Sequence, residues 1–428
     1  MSKCCRTAER RPFGPDYRVQ AATGGRSKPV KGIQIRDKER TGAMPIKTWV
    51  LADADHGVFI DHCALGAGEL GLPDCSVVKR TLHVGVRRGV DIIEVSSKAV
   101  HCVIVPTRGM GIWRAESNGV PLRWKSPIHG PVHPSLVRLW EPSGIGWLDG
   151  FDEFFVRCGL ESNGAPEFHP NGVLRYPLHG RIANTPAHRV EIHADSDAGR
   201  LTVLGVVDEA RLFGNKLRLN AAISIQPDSP AIEVCDTISN LSAIDSELEL
   251  LYHINLGVPL LSPGAKVLLP LDRLCPRDEV AVGNLPEWDV YGPETPGAPE
   301  AVFFCTLRGD AEGRTQAMLK SADGSQACRL HFNLRQLPFF TLWKNRLPPE
   351  DGYVTGLEPC INFPNPRSFE QSRGRVDALS PGDSRVFEIR IEGLAGAESV
   401  DTAAAEIAAL QGEVPPEIVR SPDPNWSA

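Results

Sequence analysis

The 428-residue chain contains no run of about 20 apolar residues, so it offers no membrane-spanning helix. Its N-terminus also lacks the apolar core of a secretory signal. The 11 cysteines include no CxxC pair and, apart from Cys4-Cys5, stand singly without the spacing of a disulfide scaffold. They read as reduced thiols, mostly buried, and the protein as soluble, cytoplasmic and not membrane-bound. No GxSxG, GxxxxGKS/T or HExxH pattern occurs, which removes the usual signatures of serine hydrolases, phosphate-loop enzymes and zinc proteases. Excess positive charge is missing too. A formal charge of -7 disfavours nucleic acid as the main partner and suits a small neutral or mildly polar ligand.

What is present is a large apolar fraction, 42% of residues, enough to bury a sizeable core. Residues 1–44 differ from the rest: 11 Lys/Arg stand against 4 Asp/Glu, a net of +7, which leaves -14 for the remainder of the -7 total. This stretch is expected to be a disordered basic extension, with a targeting or anion-binding arm as its functional alternative. Met44 immediately precedes the first strand-like run.

From about Lys47 onward, apolar residues alternate with polar ones between turn residues, the period of half-buried strands. Leu217, Leu219, Ala221, Ile223 and Ile225 are expected to share one face, followed by a turn at Pro227-Asp228-Ser229-Pro230 and a second alternating run through Ile232, Val234 and Ile238. Further strands are expected at 81–86, 90–95, 100–105, 201–207, 247–253, 302–307, 353–358 and 385–391. One helix is expected, at 402–410. No strand–helix alternation and no fixed repeat occur, so the expected fold is all-β: a large antiparallel two-sheet sandwich over residues 45–395, with a C-terminal helix and tail over 396–428.

Three segments combine acid/base groups with residues that hold a strand end. In Tyr176-Pro177-Leu178-His179-Gly180-Arg181, glycine lets backbone approach a ligand closely and Arg181 offers a forked donor. A hydrogen-bonded loop histidine fits the same segment. In Leu250-Leu251-Tyr252-His253-Ile254-Asn255, alternation puts His253 on the face of Glu247 and Glu249, opposite Leu248, Leu250 and Tyr252. In Thr355-Gly356-Leu357-Glu358-Pro359, a carboxylate ends a β run; burial would raise its pKa and make it a general base, while a surface ion pair is the bland reading.

Trp113, Trp124, Trp140, Trp147 and Trp343 are candidates to stack on a sugar, with no more than about two expected in the cleft because most tryptophans fill cores. Asn163, Asn362, Arg108 and Lys344 are candidate donors to hydroxyls. The run Gly150-Phe151-Asp152-Glu153-Phe154 reads as mainly structural. His129 and His133 form a close pair, but the intervening Pro131 keeps both off one helical face, and no metal or cofactor is assigned.

Together the three segments, in this order, resemble the aldose 1-epimerase, or galactose mutarotase-like, superfamily over roughly residues 44–394. They are most similar to a branch described only as aldose 1-epimerase-like. The resemblance implies a β-supersandwich that opens and closes a pyranose ring without a cofactor. It also implies roles: Glu358 as the base at the anomeric hydroxyl, His253 as the acid at the ring oxygen, and His179 as a group holding that oxygen or a hydroxyl. Arg181 stands beside His179, and Arg108, in Thr107-Arg108-Gly109, resembles a substrate-binding arginine. Two departures stand out: the family's Asp-His segment has no match, with Trp343-Lys344-Asn345 in a comparable region, and an insertion-like stretch spans about 123–170. The expected partner is a small carbohydrate, and a homo-oligomer is left open. Rival readings are a carbohydrate-binding or regulatory protein, and lyase or glycosidase chemistry, the latter disfavoured because only Glu358 offers an obvious carboxylate.

Overall fold

The computed structural model describes residues 33–36 and 46–428. Two large sheets face each other. The first runs in the order Ile33–Arg36, Lys47–Asp53, Arg189–Asp195, Arg200–Ala210, Lys216–Ile225, Ala231–Asn240, Ser384–Ala395, Gln326–Asn333, Arg314–Lys320 and Lys266–Leu268. The second is centred on Ala301–Leu307, Phe339–Asn345, Val354–Cys360, Ser246–Gly257, Phe155–Leu160 and Gly111–Ser117, in that order. Pairing is antiparallel apart from the added strand Glu417–Ile418, which lies parallel to Leu271–Pro276. The expected two-sheet sandwich is therefore the architecture found.

Leu217, Leu219, Ala221, Ile223 and Ile225 do share a buried face, and Ile232, Val234 and Ile238 join them between the sheets. Leu250, Ile254, Phe303 and Leu357 meet them from the second sheet. Strands of the first sheet alternate buried with half-exposed residues, because one face meets solvent over most of its area. The Ser246–Gly257 and Val354–Cys360 strands are buried almost throughout. Their outer face is roofed by the stretch expected as an insertion, which contributes the one-turn helices Pro134–Leu136 and Gly146–Gly150.

Two expectations need correction. Residues 81–86 are not a strand: Ser76–Thr81 is, and Gly85–Arg87 is a helical turn with Val84 and Val86 facing solvent, so the apolar alternation there marks no buried face. Within the basic extension, Ile33–Arg36 forms a strand paired with residues 47–50; the rest of that extension lies outside the described residues. The C-terminal helix and tail pack on the two sheets. Helix Ala397–Gln411 buries Val400, Ala403 and Ile407 on the first sheet, and the tail then crosses to edge the second, where Trp426 packs on Phe363. A GxGxxG spacing at Gly66, Gly68 and Gly71 sits on a four-residue helix between antiparallel strands, not in the strand–helix–strand unit that a dinucleotide cradle requires.

Between the sheets, directly behind the outer face, Arg157 forks onto Asp236 of the first sheet at 2.6 and 2.8 Å. Its remaining nitrogen donates to the carbonyl of Met110 at 2.7 Å, and the Tyr252 hydroxyl donates to Asp236 at 2.8 Å. All three side chains are fully buried. A bidentate pair of this kind fixes how one sheet sits on the other, and removing one partner strands the other charge in the core. Asp236→Ala is expected to lower folding stability by about 3–5 kcal/mol, and Tyr252→Phe by about 1 kcal/mol, in urea titrations.

Candidate active site

The register of two neighbouring strands brings the two acid/base candidates together. Leu251 pairs with Cys360 and Ile254 with Leu357, so His253 lies opposite Glu358. Alternation then turns both side chains to the outer face, with Asn255 and Leu251 on one strand and Gly356 and Cys360 on the other. His253 Nε2 stands 3.1 Å from Glu358 Oε1, both nearly inaccessible to solvent. The contact is close but poorly aligned, and Glu358 Oε1 has no hydrogen-bond partner. A buried carboxyl oxygen without a partner is expensive unless a ligand supplies one.

Gly356 makes the approach possible. A methyl group at that position would sit 2.2 Å from Glu358 Oε1 and 3.0 Å from the His253 ring. The strand glycine is required by space rather than by backbone conformation.

His253 Nδ1 lies 2.6 Å from Asn255 Oδ1, and the Asn255 amide nitrogen donates to the carbonyls of Glu153 and His253. With its amide nitrogen so committed, Asn255 presents oxygen to the ring, which puts the imidazole proton on Nδ1 and leaves Nε2 toward Glu358. Burial, reinforced by nearby His179, pushes the His253 pKa well below the usual imidazole value; the Asn255 bond opposes this. Burial also pushes Glu358 well above the usual carboxyl range, with Glu300 adding to the effect and Arg277 opposing it. Burial thus favours the neutral form of both groups.

His179 reaches the cluster from a tight turn with φ +56°. Gly180 lets this turn press against the Phe155–Leu160 strand: a side chain there would meet the carbonyls of Ser162 at 2.0 Å and Gly159 at 2.4 Å. His179 Nδ1 donates to the Asn163 carbonyl at 2.8 Å, and burial lowers its pKa, so Nε2 is a free acceptor. Its ring centroid lies 5.4 Å from that of His253. Trp147, Phe151 and Trp343 close the walls, at 4.7 Å from His179, 5.1 Å from His253 and 5.3 Å from His253 respectively. The Trp147 indole N–H is buried without a partner. At the rim Glu300 accepts from Trp343 Nε1 at 2.7 Å and pairs with Arg277 at 3.0 Å.

The structure thus gathers His179, His253, Glu358 and Trp343, with Asn163 just behind. It does not gather the candidate cations. Arg108 is spent on Glu153, Asn184 and the Gly150 carbonyl, bracing the roof. Lys344 points to the opposite face of its strand, where Nζ donates to the carbonyls of Glu287, Trp288 and Val290 and burial lowers its pKa to about 8. Arg181 pairs with Glu161 and Glu209 and lines a separate surface cavity of about 470 Å³ with Trp140, His169, Arg175 and Arg211. Asn163 and Asn362 exchange amide bonds with each other. Sequence reasoning overlooked Asn255 and Gly356, each two residues from a candidate and so on its face by alternation, and it took Phe151 as structural. Glu300 and Arg277 carried no sequence signal. Among the described residues no group of three or more His, Cys, Asp or Glu side chains gathers as a metal site, and no helix is long and apolar enough to cross a membrane.

Residues 87–392 match the family described as a domain of unknown function, DUF4432. The chain belongs to this family. Within the solved structures, the DUF4432 chain is similar to a protein of Klebsiella pneumoniae provisionally named an aldose 1-epimerase, with 32% identity and a TM-score of 0.85 over 88% of this chain and 99% of that one. A galactose mutarotase-like protein of Clostridium acetobutylicum, at 15% identity and TM-score 0.51, covers 75% of this chain and 99% of its own and shares the fold. The DUF4432 chain thus shares the galactose mutarotase-like fold. No curated protein matches it by sequence.

Gly356→Ala is expected to cost about 1–3 kcal/mol through overpacking and to drive the Glu358 carboxyl away from His253. Denaturant titration together with a crystal structure of the variant checks both.

Proposed function

We propose that the protein is an isomerase that interconverts the α and β anomers of a sugar by opening and reclosing its ring. The observation that carries this reading is the 3.1 Å approach of Glu358 Oε1 to His253 Nε2 in a dry site. Ring opening needs one base at the anomeric hydroxyl and one acid at the ring oxygen, and a one-proton pair supplies both at once. In the form with ionised Glu358 and protonated His253, Glu358 takes the anomeric proton while His253 Nε2–H protonates the ring oxygen and the C1–O5 bond breaks. The open aldehyde turns about C1–C2, and the reverse transfers close it on the other face. Protons alone move.

His179 takes a narrower role. Its Nδ1–H is committed to Asn163 and burial keeps it neutral, so Nε2 only accepts. It therefore holds a sugar hydroxyl, which can donate, rather than the ring oxygen, which cannot. Trp147, Phe151 and Trp343 offer apolar faces to the C–H side of a pyranose, and the unpartnered Trp147 N–H is free for a hydroxyl.

Saturation-transfer NMR on a panel of free sugars tests this reading. The wild type should accelerate anomer exchange for at least one sugar, and Glu358→Gln and His253→Ala should each slow it by about 10²–10⁴-fold. Line broadening without acceleration for any sugar would instead mark a carbohydrate-binding protein.

The pH profile has a defined sign. With two protons the pair lacks a base, and with none it lacks an acid. The acid limb of kcat/KM should therefore lie below the ordinary imidazole value and the alkaline limb well above the ordinary carboxyl value, following the directions in which burial moves the two groups. Exchange rates measured against pH check this.

A further inference from the structure

We propose that Glu249 is a positioning residue that acts through Asn163 to fix the ring and the tautomer of His179. The inference rests on the reading of His179 as a substrate-binding group. Glu249 stands on the His253 strand, four residues earlier and on the same outer face. It is fully buried, and its Oε2 accepts the Asn163 backbone N–H at 2.9 Å. Asn163 in turn is held at three points. Its N–H is fixed by Glu249, its side chain exchanges two amide bonds with Asn362, and its carbonyl takes the His179 Nδ1 proton.

No direct contact joins Glu249 to the reacting centre, so its influence is geometric. Without the carboxyl, the Asn163 N–H is left in a dry site with no acceptor, and the segment that carries the His179 acceptor carbonyl loses one of its anchors. A His179 ring released from that carbonyl exchanges tautomers, and its Nε2 no longer presents a lone pair to the sugar at all times. Burial holds the Glu249 carboxyl protonated up to about pH 8, so a carboxamide is a close electronic substitute at neutral pH.

The test combines ¹⁵N NMR of the His179 ring, assigned against His179→Ala, with anomer-exchange rates for wild type, Glu249→Gln and Glu249→Leu. Wild type and Glu249→Gln should both show the Nδ1–H tautomer and equal kcat. Glu249→Leu, which fills the space without an acceptor, should show a tautomer mixture and a kcat lower on the order of 10²-fold. Should Glu249→Leu fail to fold, Asn362→Ala, which removes both amide bonds to Asn163, is expected to show the same two changes. A pure Nδ1–H tautomer in the variant without the anchor, or an equal loss in Glu249→Gln, overturns the proposal. If wild type accelerates no sugar, the isomerase reading falls while the tautomer comparison still judges Glu249.

Discussion

The antiparallel register between Ser246–Gly257 and Val354–Cys360 is the constraint on which the site depends. Side chains alternate with a period of two, so a slip of one residue would send His253 and its neighbours into the inter-sheet core and break the alignment with Glu358. Register is held from behind. Tyr252, adjacent to His253 but on the opposite face, is bonded to Asp236, and Asp236 is forked by Arg157 from the next strand. The polar network in the core and the acid/base pair outside it are two faces of the same strands.

Desolvation does the rest. An exposed carboxyl and imidazole at these positions would titrate near their ordinary values, and the carboxyl would be ionised at neutral pH. Roofing the sheet with Trp147 and Phe151 raises the carboxyl pKa and lowers that of the imidazole, and Arg108 makes that roof rigid by tying Gly150, Glu153 and Asn184 together. The arginine serves the chemistry through the architecture of the cover, with no nitrogen left for the substrate. Asn255 and Asn163 perform equivalent tasks for the two histidines, each taking up an Nδ1 proton.

Much of this was legible from alternation alone. The buried face of Lys216–Ile225, the outward turn of His253 and the strand carrying Glu358 follow from a period of two in the sequence. The failures have physical causes. Charged residues such as Arg108 and Lys344 look like ligand groups in a sequence because the carbonyls and carboxylates that consume them come from distant segments. Phe151 looked structural because its contact with His253 depends on a fold-back of over 100 residues. Val84 and Val86 alternated as a strand would, yet no second sheet lay over them.

The most direct test of how burial sets the protonation of Glu358 and His253 is a single sample labelled with ¹³C at the Glu358 carboxyl and ¹⁵N in the His253 ring, titrated by NMR without ligand. A protonated carboxyl beside an imidazole with bare Nε2 near neutral pH is the predicted result. Independent titrations of Glu358 near 4.5 and His253 near 6.5, the ordinary values for exposed groups, would contradict it.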